Sequence, residues 1–251
     1  MSKSKQFAHL KEMAMRAHIK PDGTIRFRKI GITANRVKKD PAFFHTRRNA
    51  AEFGHAAKTG QCIRHALAPL LDNIADATLT GRLVKTLLQA IKTDIIHEKA
   101  PRNIAAANLT SLAGFECNAK TKAFGYFHTS YQGQYDPKTR RVRLRLNSTK
   151  LDDWNLQKLF GATHCKLIPV IIAFNTVTHQ TQALFTGADV LHEITHRRLP
   201  SLTATLDIII ESPAIAITAF AFECYKKENN HFYRLANAAS NCLSFVGAFH
   251  C

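Results

Sequence analysis

The chain has 251 residues, 45% of them hydrophobic and 21% charged, which suits one large core or two small ones and excludes a disordered or low-complexity protein. Its formal charge of +17 is uneven, with 19 Lys/Arg against 8 Asp/Glu in residues 1–100 and 16 against 10 beyond. A field of that sign favours anionic partners.

Residues 1–39 form a basic segment. Met1-Ser2-Lys3-Ser4-Lys5-Gln6 lacks the apolar stretch of a secretory signal, and no apolar run approaches the roughly 18 residues of a membrane span. A soluble cytoplasmic protein with no membrane partner is the expectation. Lys20-Pro21-Asp22-Gly23 is a turn signal followed by alternation through Phe27, which predicts a small β-hairpin. Gly31 and the run Arg36-Val37-Lys38-Lys39 read as a loop. Asp40-Pro41 opens a helix, because Asp caps free amides and Pro suits the first helical position. Ala-rich sequence continues to Leu71, with a kink or break expected at Gly54 and Gly60. A second helix is expected over 77–96, where Leu79, Leu83, Leu87, Leu88, Ile91 and Ile95 recur at helical spacing. Joined near Asp72-Asn73, the two make an αα-hairpin.

Beyond residue 100 the hydrophobic period changes from 3.6 to 2. Arg141-Val142-Arg143-Leu144-Arg145-Leu146 alternates fully, so its arginines face away from a core. Asp136-Pro137-Lys138-Thr139 is the turn before it, and 126–131 reads as its partner strand. Further strands are expected over 165–174, 180–185, 205–211, 214–225, 232–235 and 242–249. The fold class is α+β: an N-terminal β-hairpin and αα-hairpin, then a β-sandwich-like all-β domain. Segments 1–39 (basic hairpin and loop), 40–100 (helical hairpin) and 101–251 (β-rich) are the expected divisions.

The one motif that names a reaction is His192-Glu193-Ile194-Thr195-His196, which matches H-E-x-x-H. On a helix, His192 and His196 share a face and can hold Zn²⁺, with Glu193 as general base. The third ligand would be Glu211 or Glu223. Arg197 to Leu202 offer neither the glycine nor the third histidine of the extended motif, and Gly187 and Pro200 leave room for at most about three helical turns. His45, His55 and His65, some 15 Å apart per step on one helix, cannot share a metal. None of the six cysteines (Cys62, Cys117, Cys165, Cys224, Cys242, Cys251) forms a C-x-x-C pair, so buried free thiols are expected. No nucleophile elbow or phosphate loop occurs. His164 and Cys165 are strand neighbours that point to opposite faces. Arg141, Arg143 and Arg145, with Arg47 and Arg48 on the first helix, are the polyanion-binding candidates.

Asp40-Pro41-Ala42-Phe43, with Thr46-Arg47-Arg48-Asn49-Ala50-Ala51-Glu52-Phe53-Gly54, resembles the DPAF…TRENxxEFG block of a family of uncharacterised Bacteroidota proteins. Lys58-Thr59-Gly60, Arg64-His65-Ala66-Leu67, Leu112-Ala113-Gly114-Phe115, Gly161-Ala162-Thr163-His164 and Tyr233-Arg234-Leu235-Ala236-Asn237 continue the resemblance. It implies a shared architecture and carries over no catalytic residues. Two departures stand out: Arg48 replaces the family's usual glutamate, and the family has a linker between strands, without H-E-x-x-H, where this chain has His192–His196.

Together these features point to a non-enzymatic structural or partner-binding, self-assembling protein with a basic surface and no cofactor. Its expected partners are a second copy or an acidic protein. A zinc metallopeptidase and a nucleic-acid-binding protein are the alternatives.

Overall fold

The structure is a computed structural model that describes residues 15–29, 31–97, 101–122, 130–150, 161–194, 198–235 and 240–251. The chain is α+β and divides into two compact units, Met1–Ala50 and Ala51–Cys251.

In the first unit, β1 (Met15–Ile19) and β2 (Ile25–Lys29) form the expected hairpin, pairing Ile19 with Ile25 and Ala17 with Phe27. Its turn is closed by Asp22, which accepts from the Thr24 amide and hydroxyl, and by Gly23 at φ +78°. The basic run expected to be a loop is instead a short helix, α1 (Ala34–Lys39). The Thr33 hydroxyl caps it by accepting from the Arg36 amide, and Arg36, Lys38 and Lys39 suit its C-terminal end. Asp40 accepts from the Ala42 amide and starts a 3₁₀ turn (Pro41–Phe43) that leads into α2 (Phe44–Ala66).

The expected break at Gly54 or Gly60 is absent, and α2 runs unbroken. Gly60 has a packing role instead, since a Cβ there would lie 3.4 Å from Leu87 Cδ1 and 3.5 Å from Val84 Cγ2. The break falls at Leu67, just before α3 (Ala68–Ile74), where Pro69 begins a new helix. The connection to α4 (Leu79–Ile91) therefore follows Ile74 rather than Asp72-Asn73. Leu79, Leu83, Leu87 and Ile91 on α4 are buried at i, i+4 spacing, each contributing roughly 1.5–3 kcal/mol of burial.

The sheets follow. A three-stranded antiparallel sheet has the order β10 (Leu202–Asp207), β4 (Arg141–Leu146), β3 (Tyr131–Asp136). A six-stranded sheet is built on two long strands, β6 (His164–Asn175) and β11 (Ala214–Glu228). Beside β6 run β7 (Thr181–Phe185) and β8 (His192–Glu193); beside β11 run β12 (His231–Arg234) and β13 (Cys242–His250). A short pair joins β5 (Thr149–Lys150) to β9 (Arg198–Leu199). Asn229 and Asn230, both at positive φ, make the two-residue turn between β11 and β12.

Two expected strands shift. The partner of β4 is Tyr131–Asp136 rather than 126–131, because Asp136 accepts from the Lys138 amide and the Thr139 hydroxyl and closes the hairpin at once; residues 126–129 lie outside the described residues. The strand placed at 205–211 is Leu202–Asp207, set by its pairing to β4.

The central sheet is apolar on both faces. Ile168, Val170, Ile172 and Phe174 of β6, with Ile215 and Ile217 of β11, pack against the helices. Alternate residues, Cys165, Leu167, Ile171, Phe220 and Phe222 among them, pack against Val142, Leu144, Leu146, Ala204 and Leu206 of the three-stranded sheet. The layers of this unit are helices, central sheet and outer sheet. The apolar stripe of the helical hairpin is consumed by this core.

Candidate partner-binding face

The outer surface of the three-stranded sheet follows from register alone. Residues directly opposite one another share a face. Arg145 stands between Gln132 and Thr203, Arg143 between Gln134 and Thr205, and Arg141 between Asp136 and Asp207. These nine polar side chains form an exposed grid, while Val142, Leu144 and Leu146 are buried beneath it. Because strand residues rise 3.3–3.4 Å each, the arginines recur about every 6.6–6.8 Å.

The three arginines are not equivalent. Arg141 donates through Nε to Asp207 Oδ1 at 2.6 Å and through Nη2 to Oδ2 at 3.3 Å. The hydrogen bond from Arg141 holds the Asp207 carboxyl below its ordinary pKa. No carboxylate pairs with Arg143 or Arg145 among the described residues. Grooves line both ends of the grid, one over Gln134, Asp136, Thr139, Arg141 and Arg143, the other over Ser130, Tyr131, Gln132, Arg145 and Asn147. Sequence reading found the arginine column but not its Gln and Thr borders. The Thr-Ala-Thr alternation at 203–205 was the available signal.

The other basic candidates, Arg47 and Arg48, are on α2. Arg47 is committed to its own chain, donating to the carbonyls of Val37 (2.6 Å) and Asp40 (2.9 Å) at the α1–α2 corner. Arg48 is half-buried near the start of α2. Arg140 at φ 51° donates to the Ile210 carbonyl.

The H-E-x-x-H segment is not helical where it is described. His192 and Glu193 are β8, paired as His192↔Cys165 and Glu193↔His164. Strand neighbours point to opposite faces, so Glu193 does not share His192's face. The helix required by the zinc reading is corrected to a strand because backbone pairing to β6 draws this stretch into the sheet. His196 lies outside the described residues. Glu211 is exposed in the loop between β10 and β11, where its carbonyl accepts from Asn175 Nδ2 at 2.8 Å. Glu223 is buried on the helix side of β11, the opposite side of the sheet from His192. Among the described residues, no three His, Cys, Asp or Glu side chains are grouped to hold a metal ion.

The structure pairs His192 with Cys165, a neighbour the sequence did not suggest. Burial pushes the Cys165 thiol up to about 12 and pulls His192 below its ordinary value, so both stay neutral near pH 7. Burial likewise raises Cys62, Cys117, Cys224 and Cys242, and Cys251 to about 11. Sequence reading also missed the network that satisfies Glu223: the Tyr225 hydroxyl donates to Oε2 at 2.9 Å, and Arg234 Nη1 lies 3.5 Å from Oε1.

No family model matches the sequence, and no curated protein matches it. A solved chain from Bordetella pertussis, provisionally named ApaA, is similar over 49% of this chain and 92% of its own length, at 8% identity and a TM-score of 0.22. No described helix is long and apolar enough to cross a membrane.

Proposed function

We propose that the protein is a non-enzymatic partner-binding protein that docks an acidic protein segment on the outer face of the β10–β4–β3 sheet. The observation that carries this is the registered grid, in which two arginines that pair with no carboxylate among the described residues stand in a column between Gln and Thr side chains. An extended segment with Asp or Glu at alternate positions repeats at the same spacing of about 6.6–6.8 Å, so each carboxylate meets one guanidinium. The bordering amides and hydroxyls supply further hydrogen bonds. A single-stranded nucleic acid is the weaker fit, because the nine side chains of the grid include no aromatic ring and Tyr131, at one end, offers a base a single platform.

The test is fluorescence anisotropy with a labelled peptide of alternating Glu and Thr, against an oligonucleotide of equal charge. The peptide should bind with a steep salt dependence, and Arg143→Ala/Arg145→Ala should weaken it at least about tenfold. Absence of peptide binding, or binding indifferent to the two substitutions, overturns the proposal. Tighter arginine-dependent binding of the oligonucleotide would transfer the face to nucleic acid.

A further inference from the structure

The second feature of the outer sheet is its free edge. Asn147 donates to the Ser130 carbonyl at 3.0 Å, which sets the phase of the β3–β4 ladder. By alternation, Gln132 and Gln134 direct their backbone groups toward β4, whereas Gly133 and Tyr135 direct theirs outward. Among the described residues β3 pairs with β4 alone, and the N–H and C=O groups of Gly133 and Tyr135 have no backbone partner.

Exposed edges are usually blunted by Lys, Pro, a bulge or a covering segment. β12 of the central sheet follows this pattern, with His231 and Arg234 on an exposed strand. β3 does not. Tyr131-Gln132-Gly133-Gln134-Tyr135 is uncharged, free of proline and identical read in either direction. A palindromic edge is self-complementary under a two-fold axis, where the same patch must meet itself with its residues in reversed order. The groove over Arg141 and Arg143 reaches this edge, where Gly133, Tyr135, Phe249 and His250 also line it.

We propose that β3 is a homodimer interface, in which two copies pair antiparallel about a two-fold axis at Gly133 and extend the outer sheet from three strands to six. Gly133 meets its own counterpart, and their outward N–H and C=O groups exchange two hydrogen bonds. On the exposed face Gln132 stands opposite Gln134 of the second copy, and the reverse. On the inner face Tyr131 stands opposite Tyr135. The arginine columns of the two copies lie three strand spacings apart, about 14 Å, beyond the roughly 8 Å Debye length at physiological salt, so they do not oppose the pairing. The interface shares Gln132 and Gln134 with the arginine face, but its hydrogen bonds run through the backbone of β3 and need neither Arg143 nor Arg145.

Sedimentation equilibrium on the full chain tests it. The wild type should approach twice 28.1 kDa at high micromolar concentration. Gln132→Lys/Gln134→Lys sets ammonium against ammonium across the axis and should return the single-chain mass. Gln132→Glu/Gln134→Lys sets opposite charges there and should restore the doubled mass, which also controls for folding of an edge with two substitutions. Amide exchange in the unmodified protein provides a second readout, with protection of Gly133 and Tyr135 expected to rise with concentration. A wild type that stays single, a Lys/Lys variant that stays double, or edge amides indifferent to concentration would each overturn the proposal. None of these results depends on Arg143 or Arg145.

Discussion

The helical layer and the outer sheet of the larger unit use charge in opposite ways. In the helical layer charges are structural. Glu52, buried on α2, receives Arg102 Nε at 2.8 Å and Nη2 at 3.0 Å, and Arg102 also donates to the Lys92 carbonyl at 3.1 Å. Asp94 accepts from the amides of Ile96, His97 and Asn103 and contacts His97 Nδ1 at 2.7 Å. Asp76 joins Arg82 to the Ala119 amide, while Arg82 reaches the carbonyls of Glu116 and Cys117. Each of these ties a connection to a helix. In the outer sheet, Arg143 and Arg145 are exposed above an apolar layer that holds the strand without them. The lesson is that burial and hydrogen-bond geometry, rather than net charge, separate a staple from a docking group.

Four predictions bear on that contrast. The largest effect belongs to Glu52→Ala, which leaves Arg102 without its carboxylate and should cost about 3 kcal/mol, a loss in Tm of roughly 6–12 °C by calorimetry. An unchanged Tm would remove Glu52 from the staples. Asp94→Ala should follow at about 2 kcal/mol in urea unfolding, since several amides lose one shared acceptor.

Acid should also weaken the helical layer. Burial alone would raise the carboxyl pKa values of Asp76 and Asp94, but hydrogen bonds outweigh it and hold both below the ordinary value. The unfolded chain therefore binds protons first. Their stabilisation is complete above about pH 4 and is lost as pH falls through and below that value. Asp94→Asn should flatten this acid slope, and a slope identical to wild type would contradict the assignment.

The smallest stability effect should come from Arg143→Ala/Arg145→Ala, within about 0.5 kcal/mol. A large loss there would make the outer arginines structural and erase the contrast between the two regions.

Much of the fold was legible because hydrophobic period is a local property. The β6, β11 and β13 strands fall within a few residues of their expected bounds, since continuous apolar runs mark strands buried on both faces. Places where local signals misled have a common cause. Gly60 looked like a helix break but is a close-approach position against α4. His192-Glu193 fits a helical metal motif, yet the free edge of β6 recruits it as a strand. The arginine column could be read from a single strand, but its commitment could not: Arg141 meets Asp207 only because β10, more than 60 residues away in sequence, pairs with β4.

By itself, then, the sequence determined the α+β class, the alternating exposure of the arginines and the buried state of most cysteines, all of which depend on neighbours within a few residues. Only the tertiary structure decided which charges are staples, that Arg141 rather than Arg143 or Arg145 meets Asp207, and that the stripe of α4 faces its own sheet. Those outcomes rest on contacts between residues far apart in the chain, and hydrophobic period carries no information about which distant partner a strand or a guanidinium will meet.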